Sequence, residues 1–217
     1  MFLSDSTFES LTNRVIQTFS DSTFKTLNEK ILFPIRIHYL TQILVPYLSE
    51  SRMILDLGTS NGSLAANIKK ALAKRSFTPQ FTGCDTHIQP ETFIPIVHYD
   101  GYNLPFPDNH FDNVMIIDVF HHADNPKRLL EEAKRVSRKD ILIKDHYWKN
   151  SKDFTSLKFA DYIGNQPYGI DLPYSFLSEK KWYDMIGEVE LNILESRKFR
   201  YNPVDPCRHI LFKLKVS

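Results

Sequence analysis

The chain has 217 residues, of which 42% are hydrophobic and 24% charged, as in soluble globular proteins. Its formal net charge is +1, so there is no global basic field that would attract nucleic acid or an anionic membrane. Two cysteines are too few for a disulfide framework, and no run of about 18 apolar residues predicts a membrane helix. We therefore expect a cytoplasmic protein that binds neither nucleic acid nor a membrane.

The first fifty residues predict helices. The heptapeptide DSTFESL recurs as DSTFKTL sixteen residues later, and in each copy Asp and Ser precede an apolar-periodic run, which is a helix N-cap signal. A third helix should begin at Pro34, a favourable first-turn residue, and run to about Leu48. We interpret residues 1–50 as a helical extension that either covers the main domain, residues 51–217, or closes over a ligand as a lid.

From Arg52 onwards, short apolar runs alternate with helical patterns. The predicted strands are MILDL, QFTGC, IPIVHY, NVMIID, DILIKD, LNILESRKF and RHILFKLKV, and the predicted helices cover 61–75, 125–137 and 178–188. This alternation predicts an α/β fold with a Rossmann-like, seven-stranded, mainly parallel sheet. The last two strands are joined by a proline-containing loop without a helix, so they should pair antiparallel at one edge.

The turn DLGTSNGS, which follows the first predicted strand, is the first candidate binding site. Ligands of open α/β sheets bind at the carboxyl ends of the strands. A dinucleotide fold would have Gly-x-Gly-x-x-Gly here, whereas this turn has an acid, Asp56, and glycines only at Gly58 and Gly62. An acid would repel a phosphate but would accept hydrogen bonds from a cationic or hydroxylated ligand. The turn therefore favours a nucleoside with an ammonium group over a dinucleotide.

Four segments in chain order resemble those of class I S-adenosylmethionine-dependent methyltransferases, nearest the branch called methyltransferase type 11. They are the turn described above, FTGCDTH, VHYDGYNLPFPDNHFDNV and DVFHHADNPKRLLEEAKRV. The resemblance implies that S-adenosylmethionine is the cofactor. The residues that it assigns to cofactor binding are Asp56, Gly58, Ser60, Asn61, Gly62, Asp85, Asp100, Gly101 and Asp118.

The resemblance also implies individual roles for some of these residues. Asp85 would receive the two ribose hydroxyls, because a carboxylate suits paired donors. Asp100, followed by Gly101, would contact the adenine amine. Ser60 departs from the family pattern, since it replaces the middle glycine of the turn and adds a Cβ where the backbone approaches the ligand.

The candidates for catalysis follow the fourth and fifth predicted strands. Methyl transfer from a sulfonium is an in-line displacement, and a base helps when the acceptor is a hydroxyl or a protonated amine. Histidine has a suitable pKa range near neutrality. We predict His146 as the base, Asp145 as the residue that orients it, and His122 as a further catalytic residue. The alternative is that these histidines cap the next helix or form hydrogen bonds within the core.

Residues 151–177 are interpreted as an insert on the substrate side. Its many aromatic and few polar residues are typical of small-molecule pockets. The place after strand four reads DVFHH, which differs from the Asn or Asp, Pro-Pro and aromatic of enzymes that methylate bases. We therefore expect a small-molecule methyl acceptor, and a homodimer is compatible with the sequence. The candidate substrate contacts are Asp161, Tyr162, Asn165 and Tyr168.

Three other interpretations are weighed against this one. A catechol-type O-methyltransferase would hold Mg²⁺ with acids at the ends of strands four and five, which here are Asp118 and Asp145. His146 stands where that group has an amide oxygen, and imidazole is a poorer partner for Mg²⁺, so we expect no metal. The remaining two are an S-adenosylmethionine-binding protein without catalysis and a nicotinamide-dependent reductase, which the spelling of the turn disfavours.

Overall fold

The computed structural model of the protein describes residues 29–30, 33–165, 172–202 and 205–216. Its helices are α1 (Phe33–Leu48), α2 (Ser63–Ala73), α3 (Pro126–Val136), α4 (Ser151–Asn165) and α5 (Glu179–Glu188), with a short 3-10 helix at Phe120–His122. Its strands are β1 (Met53–Leu57), β2 (Gln80–Asp85), β3 (Ile96–His98), β4 (Phe111–Ile117), β5 (Ser137–His146), β6 (Asn192–Phe199) and β7 (His209–Lys215). Within the described part of the chain, no helix combines the length and the apolar character needed to cross a membrane.

The seven strands form one sheet in the order β3-β2-β1-β4-β5-β7-β6. The first five strands are parallel, while β7 runs antiparallel to both β5 and β6. This arrangement confirms the Rossmann-like α/β fold and the antiparallel edge. Because the strand order reverses between β1 and β4, the crevice for a ligand lies at the carboxyl ends of these strands.

The sheet is covered by helices on both faces because its central strands are apolar on both sides. All seven residues of β4 are buried. On one face, Val114 of β4 packs in a cluster with α3 and with Trp182 of α5. On the other face, Met115 of β4 packs with residues of α1 and α2. The core is therefore two layers that share one sheet, and the loops at its carboxyl edge are left to form a site.

Helix α1 belongs to this core. Leu40, Leu44 and Leu48 are fully buried and lie in the same cluster as Ile54 of β1 and Leu211 of β7. The predicted third helix is thus confirmed, and it packs directly on the sheet. The two helices predicted at the DSTF repeats lie outside the described residues.

The sequence did not predict α4, which occupies the amino-terminal part of the insert. The side-chain oxygen Oδ1 of Asn150 accepts a hydrogen bond from the backbone N–H of Asp153 (3.0 Å), the arrangement of a helix N-cap. The sequence NSKD carries this N-cap signal, but the aromatic composition of the segment was interpreted as the lining of a pocket. Strand β3 is shorter than predicted, and β5 begins directly at the end of α3 without a loop.

The packing of α1 generates a stability prediction. Replacing Leu44 with alanine should lower the free energy of unfolding by about 2–5 kcal/mol, because it leaves a cavity in a fully buried position. Denaturant unfolding measures the change. Ile35→Ala on the same helix is the matched control: Ile35 is 63% exposed, so its replacement should change stability by no more than about 0.5 kcal/mol. Equal small effects of the two substitutions would show that α1 does not share the core.

Candidate active site

The turn after β1 contains three residues in the left-handed conformation: Gly58 (φ 72°), Ser60 (φ 54°) and Gly62 (φ 78°). A Cβ on Gly58 would lie 2.4 Å from Cγ2 of Val119, and a Cβ on Gly62 would lie 2.5 Å from Cγ1 of Ile94. Packing therefore requires both glycines. Ser60 is exposed and adopts the conformation that a glycine would favour, at a cost of about 1 kcal/mol.

Asp85, at the end of β2, lies against this turn. Its Oδ2 accepts a hydrogen bond from the backbone N–H of Ser60 (2.7 Å), and its Oδ1 accepts one from the N–H of His87 (3.0 Å). In the same turn, Oδ1 of Asn61 accepts a hydrogen bond from the N–H of Ser63 at the start of α2 (3.1 Å). The fold thus brings together three of the residues assigned to the cofactor.

Asp56 is buried beneath the turn. Its Oδ2 accepts a hydrogen bond from the hydroxyl of Thr59 (2.5 Å). Burial raises the pKa of Asp56 to about 7, although the hydrogen bond from Thr59 opposes the shift; the nearby charge of Asp85 adds to it. A cationic ligand group would stabilise the ionised form of this carboxyl.

Asp100 and Gly101 form an exposed turn after β3. Oδ1 of Asp100 accepts hydrogen bonds from the N–H groups of Asn103 (2.7 Å) and Tyr102 (2.8 Å), which together lower the pKa of Asp100. Gly101 has φ 87°, and a Cβ there would meet only Cγ2 of Thr86, at 3.6 Å. Asp100 therefore shapes a turn whose outer side is open to a ligand.

The three carboxylates Asp56, Asp85 and Asp100 share one property. Among the described residues, none of them is in an ion pair with a lysine, arginine or histidine. A group of acids without protein cations suits a ligand that brings a positive charge and hydroxyl donors. This donor set fits S-adenosylmethionine, which carries an ammonium, a sulfonium and a ribose diol.

A different network occupies the end of β4. Nζ of the fully buried Lys144 lies 2.6 Å from Oδ1 of Asp118, and Nη2 of Arg36 from α1 lies 2.5 Å from Oδ2. Burial opposes the ionisation of Asp118, but the two cations outweigh it and hold its pKa well below the usual range. Both oxygens of Asp118 are therefore engaged by protein cations, which argues against the assignment of Asp118 to the cofactor.

Asp145, at the end of β5, is the centre of a second network. Its Oδ1 accepts hydrogen bonds from Nδ1 of His121 (2.7 Å) and from the backbone N–H of His146 (2.6 Å), and its Oδ2 accepts one from the N–H of Phe120 (2.8 Å). Burial alone would lower the pKa of His121, but Asp145 outweighs it and the net shift is upward. The side chain that Asp145 orients is thus His121. Asp145 also binds the backbone N–H of His146, and Nδ1 of the His146 ring lies 3.5 Å from Oδ1 of Asp145, so an orienting role of Asp145 towards this ring stays a prediction.

His146 lies between these two networks. Its Nδ1 is buried and has no hydrogen-bond partner within the described part of the chain; it lies 3.5 Å from Oδ1 of Asp145 and 3.6 Å from Oδ1 of Asp118. Burial and the charge of Lys144 lower its pKa. His209 is its register partner on β7, and the two ring centroids are 4.7 Å apart.

The insert contributes Asp161 from α4. Oδ1 of Asp161 lies 3.7 Å from Nε2 of His121 and 3.7 Å from Nε2 of His122, and it accepts a hydrogen bond from Nδ2 of Asn165 (2.6 Å). Tyr162 is half-buried on the same helix. Tyr168, the fourth predicted substrate contact, lies outside the described residues.

Comparison with known proteins decides the family. A family model described as a methyltransferase domain matches residues 55–142, the segment that contains the glycine turn, Asp85 and the end of β4. Residues 55–142 form a class I S-adenosylmethionine-dependent methyltransferase domain. This domain is accordingly that of an enzyme family, and its cofactor is S-adenosylmethionine.

The fold of the methyltransferase is shared by many solved structures. A methyltransferase of Haloferax volcanii, solved in complex with the Trm112 methyltransferase activator, superposes with a TM-score of 0.61 at 15% identity, covering 91% of this chain and 94% of the other. A SAM-dependent methyltransferase of Aquifex aeolicus superposes with a TM-score of 0.59 at 17% identity, covering 92% and 100%. An uncharacterized protein of Methanocaldococcus jannaschii is 44% identical over 46 residues, which is 21% of this chain and 22% of that protein.

Several residues of the methyltransferase site were missed by the sequence analysis. Arg36 and His209 come from distant parts of the chain, and nothing in their local sequence indicates that they reach the site. Lys144 did carry a signal, because a lysine within the apolar run DILIKD is either exposed or paired with an acid.

The raised pKa of Asp56 predicts a pH-dependent affinity for the cofactor. Binding of S-adenosylhomocysteine, which retains the ammonium, should weaken by about eightfold between pH 7.5 and pH 6, because Asp56 takes up a proton and loses its charge as pH falls through about 7. Calorimetry at each pH measures the affinity.

Two controls isolate Asp56. The affinity of Asp56→Asn for S-adenosylhomocysteine should be weaker and independent of pH over this range. Methylthioadenosine lacks the amino-acid part, so its binding to the unaltered enzyme should also be independent of pH. A pH dependence that persists in Asp56→Asn would assign the titration to another group.

Proposed function

We propose that the enzyme transfers the methyl group to a hydroxyl or amine of a small molecule. The observation that carries this proposal is the position of the histidines at the carboxyl edge of the sheet. The side chain of Val119 packs against Gly58 of the cofactor turn, and the next three residues form the 3-10 helix that holds His121 and His122. The polar groups of an acceptor site are thus joined directly to the cofactor turn.

The side chains around His121 support a small-molecule acceptor. Phe176 stacks on His121 with ring centroids 5.0 Å apart, and Asp161 of α4 approaches the same histidine. Apolar walls with a few placed polar groups are typical of small-molecule pockets. The near-neutral net charge gives no support to a nucleic-acid acceptor.

When bound, S-adenosylmethionine would supply a methyl group carried on a sulfonium sulfur. The rest of the cofactor would remain as a neutral thioether. When the cofactor is bound, Asp56 would hold its ammonium and Asp85 its ribose hydroxyls. His146 would take up the proton that the acceptor hydroxyl or amine loses when it is methylated. His146 suits this role because its Nδ1 is without a hydrogen-bond partner and its lowered pKa keeps it neutral near pH 7.

The contacts of Asp118 and Asp145 argue against a magnesium-dependent mechanism of the catechol type. The oxygens of Asp118 are engaged by Lys144 and Arg36, and those of Asp145 accept three hydrogen bonds. Neither carboxylate has the free oxygens that Mg²⁺ prefers. A protein that binds the cofactor without catalysis is the other alternative, and only an assay of transfer separates it from the enzyme.

The amino-terminal extension fits the role of a lid. Arg36, near the start of α1, ties this helix to Asp118 at the end of β4. We keep residue 50 as the boundary between the amino-terminal extension and the main domain, although α1 packs in the core of that domain.

The cofactor part of the proposal is tested with Asp85→Ala. This substitution should weaken S-adenosylhomocysteine binding tenfold or more, because two charge-assisted hydrogen bonds to the ribose are lost, each worth about 1.5–3 kcal/mol. Asp85→Asn keeps an acceptor for the N–H of Ser60 and should be intermediate. Asp184→Ala removes a partly exposed acid from α5 and serves as the charge-matched control. Unchanged affinity in Asp85→Ala would show that Asp85 only ends a strand.

The catalytic part is tested with His146→Ala, once a mass-spectrometric screen with labelled S-adenosylmethionine has found an acceptor. We expect kcat to fall by about 100-fold, the usual scale for a lost general base, with S-adenosylhomocysteine affinity unchanged. His98→Ala removes an exposed histidine from β3 and should leave kcat unchanged. A kcat within about threefold of the unaltered enzyme would remove His146 from the mechanism.

A further inference from the structure

Three potential metal ligands converge where the 3-10 helix Phe120–His122 faces α4. They are Nε2 of His121, Nε2 of His122 and a carboxylate oxygen of Asp161, and all three atoms lie within 4.8 Å of one another. Each imidazole nitrogen is 3.7 Å from Oδ1 of Asp161. These separations are too long for hydrogen bonds but close to the roughly 3.3 Å between ligands of a tetrahedral zinc ion.

Outer contacts hold two of these side chains in the orientation that a metal site needs. Nδ1 of His121 donates its hydrogen bond to Asp145, which leaves Nε2 directed towards Asp161. A ligating histidine in proteins almost always donates its other N–H to a carboxylate, carbonyl or water in this way. Nδ2 of Asn165 donates to Oδ1 of Asp161 and fixes the carboxylate from the opposite side.

An independent observation points to a missing ligand. Oδ2 of Asp161 is buried and has no hydrogen-bond partner among the residues that the structure describes, and only 5% of the Asp161 side chain is exposed. A buried carboxylate oxygen without a partner is costly, so such an atom is expected to bind a group that is absent from the polypeptide. The site is reachable from outside, because 25% of the His122 side chain is exposed.

We propose that His121, His122 and Asp161 bind a divalent transition-metal ion, with zinc as the reference ion. Two imidazoles and one carboxylate are a common donor set for such ions, and they leave coordination positions open for a further ligand. The role of the ion rests on the proposed function: an open position on the acceptor side would bind the hydroxyl or amine that is methylated. The acceptor would then be a molecule that can coordinate a metal through the reacting atom.

Two other groups of histidines and acids lie nearby, but their carboxylates are already engaged. In the group Asp118, His146 and His209, the acid is paired with Lys144 and Arg36. In the group His121, Asp145 and His146, the acid accepts three hydrogen bonds. Of the acids in the three groups, Asp161 is the one with a side-chain oxygen that has no hydrogen-bond partner among the described residues. The proposed site differs from the expectation of no metal, which concerned magnesium at Asp118 and Asp145.

The test measures metal binding directly, without an acceptor. The full chain is freed of metal with a chelator and titrated with Co²⁺, whose visible absorption reports the ligand field, and zinc is used as competitor. We expect one Co²⁺ per chain, with absorption typical of four or five ligands, displaced by one equivalent of Zn²⁺. His122→Ala should weaken binding by at least about 100-fold, because a ligand is lost. Since His122 is partly exposed, this variant should fold, which its melting temperature checks.

Three further variants make the result specific. Asp161→Ala should lose the metal to the same extent as His122→Ala. His146→Ala should retain it, which separates this group from the two neighbouring ones. His98→Ala, which removes an exposed histidine from β3, should also retain it and so accounts for adventitious surface binding. Loss of Co²⁺ binding in His146→Ala would overturn the assignment of the ligands.

The outcomes are separable from those of the proposed function. Calorimetry with S-adenosylhomocysteine on the same samples should give the same affinity for the unaltered enzyme, His122→Ala and Asp161→Ala. If the unaltered chain binds no Co²⁺ or Zn²⁺ at micromolar concentration while it still binds S-adenosylhomocysteine, Asp161 only neutralises the buried histidines, and the metal site is wrong while the methyltransferase assignment stands.

Discussion

The ammonium of Lys144 is fully buried in the middle of the sheet, and the organisation of the acceptor side depends on how it is neutralised. A buried charge without a partner is strongly unfavourable, so β5 can carry this lysine only if an acid lies beside it. Asp118 provides that acid and adopts a left-handed conformation (φ 57°) at the end of β4. The same carboxylate accepts Arg36, which ties α1 to the site. One buried pair thus links the leading helix, β4 and β5.

Asp145 plays the corresponding role for the histidines. Its two oxygens accept three hydrogen bonds, two of them from backbone N–H groups and one from His121. The bond from the N–H of Phe120 holds the 3-10 helix to the end of β5, and the side-chain bond selects which nitrogen of His121 faces Asp161. A satisfied polar network of this kind is rigid because each member loses energy if one partner moves. The geometry proposed for a metal ion depends on this rigidity.

The cofactor side is organised by packing rather than by charge pairs. Gly58 and Gly62 lack a Cβ because Val119 and Ile94 occupy the space, so the glycine pattern is explained by the fold even without a ligand. What identifies a cofactor site is the set of acids around the turn. Asp56, Asp85 and Asp100 lie at or after three different strands, and their charges are not balanced by described protein cations. A bound cofactor with a positive charge and hydroxyls would supply what these acids lack.

The sequence by itself determined the α/β fold, the antiparallel edge and the cofactor turn, because these depend on local periodicity and on residues close together in the chain. It also indicated that Asp118, Asp145 and the histidines lie at the carboxyl edge. Only the tertiary structure decided which of them are paired, since Arg36, Asp161 and His209 approach from elements far apart in sequence. Asp118 and Asp145 look equivalent in the sequence, yet one is neutralised by two cations and the other orients His121. These pairings depend on distances of a few ångströms across strands and helices, which no local pattern of residues encodes.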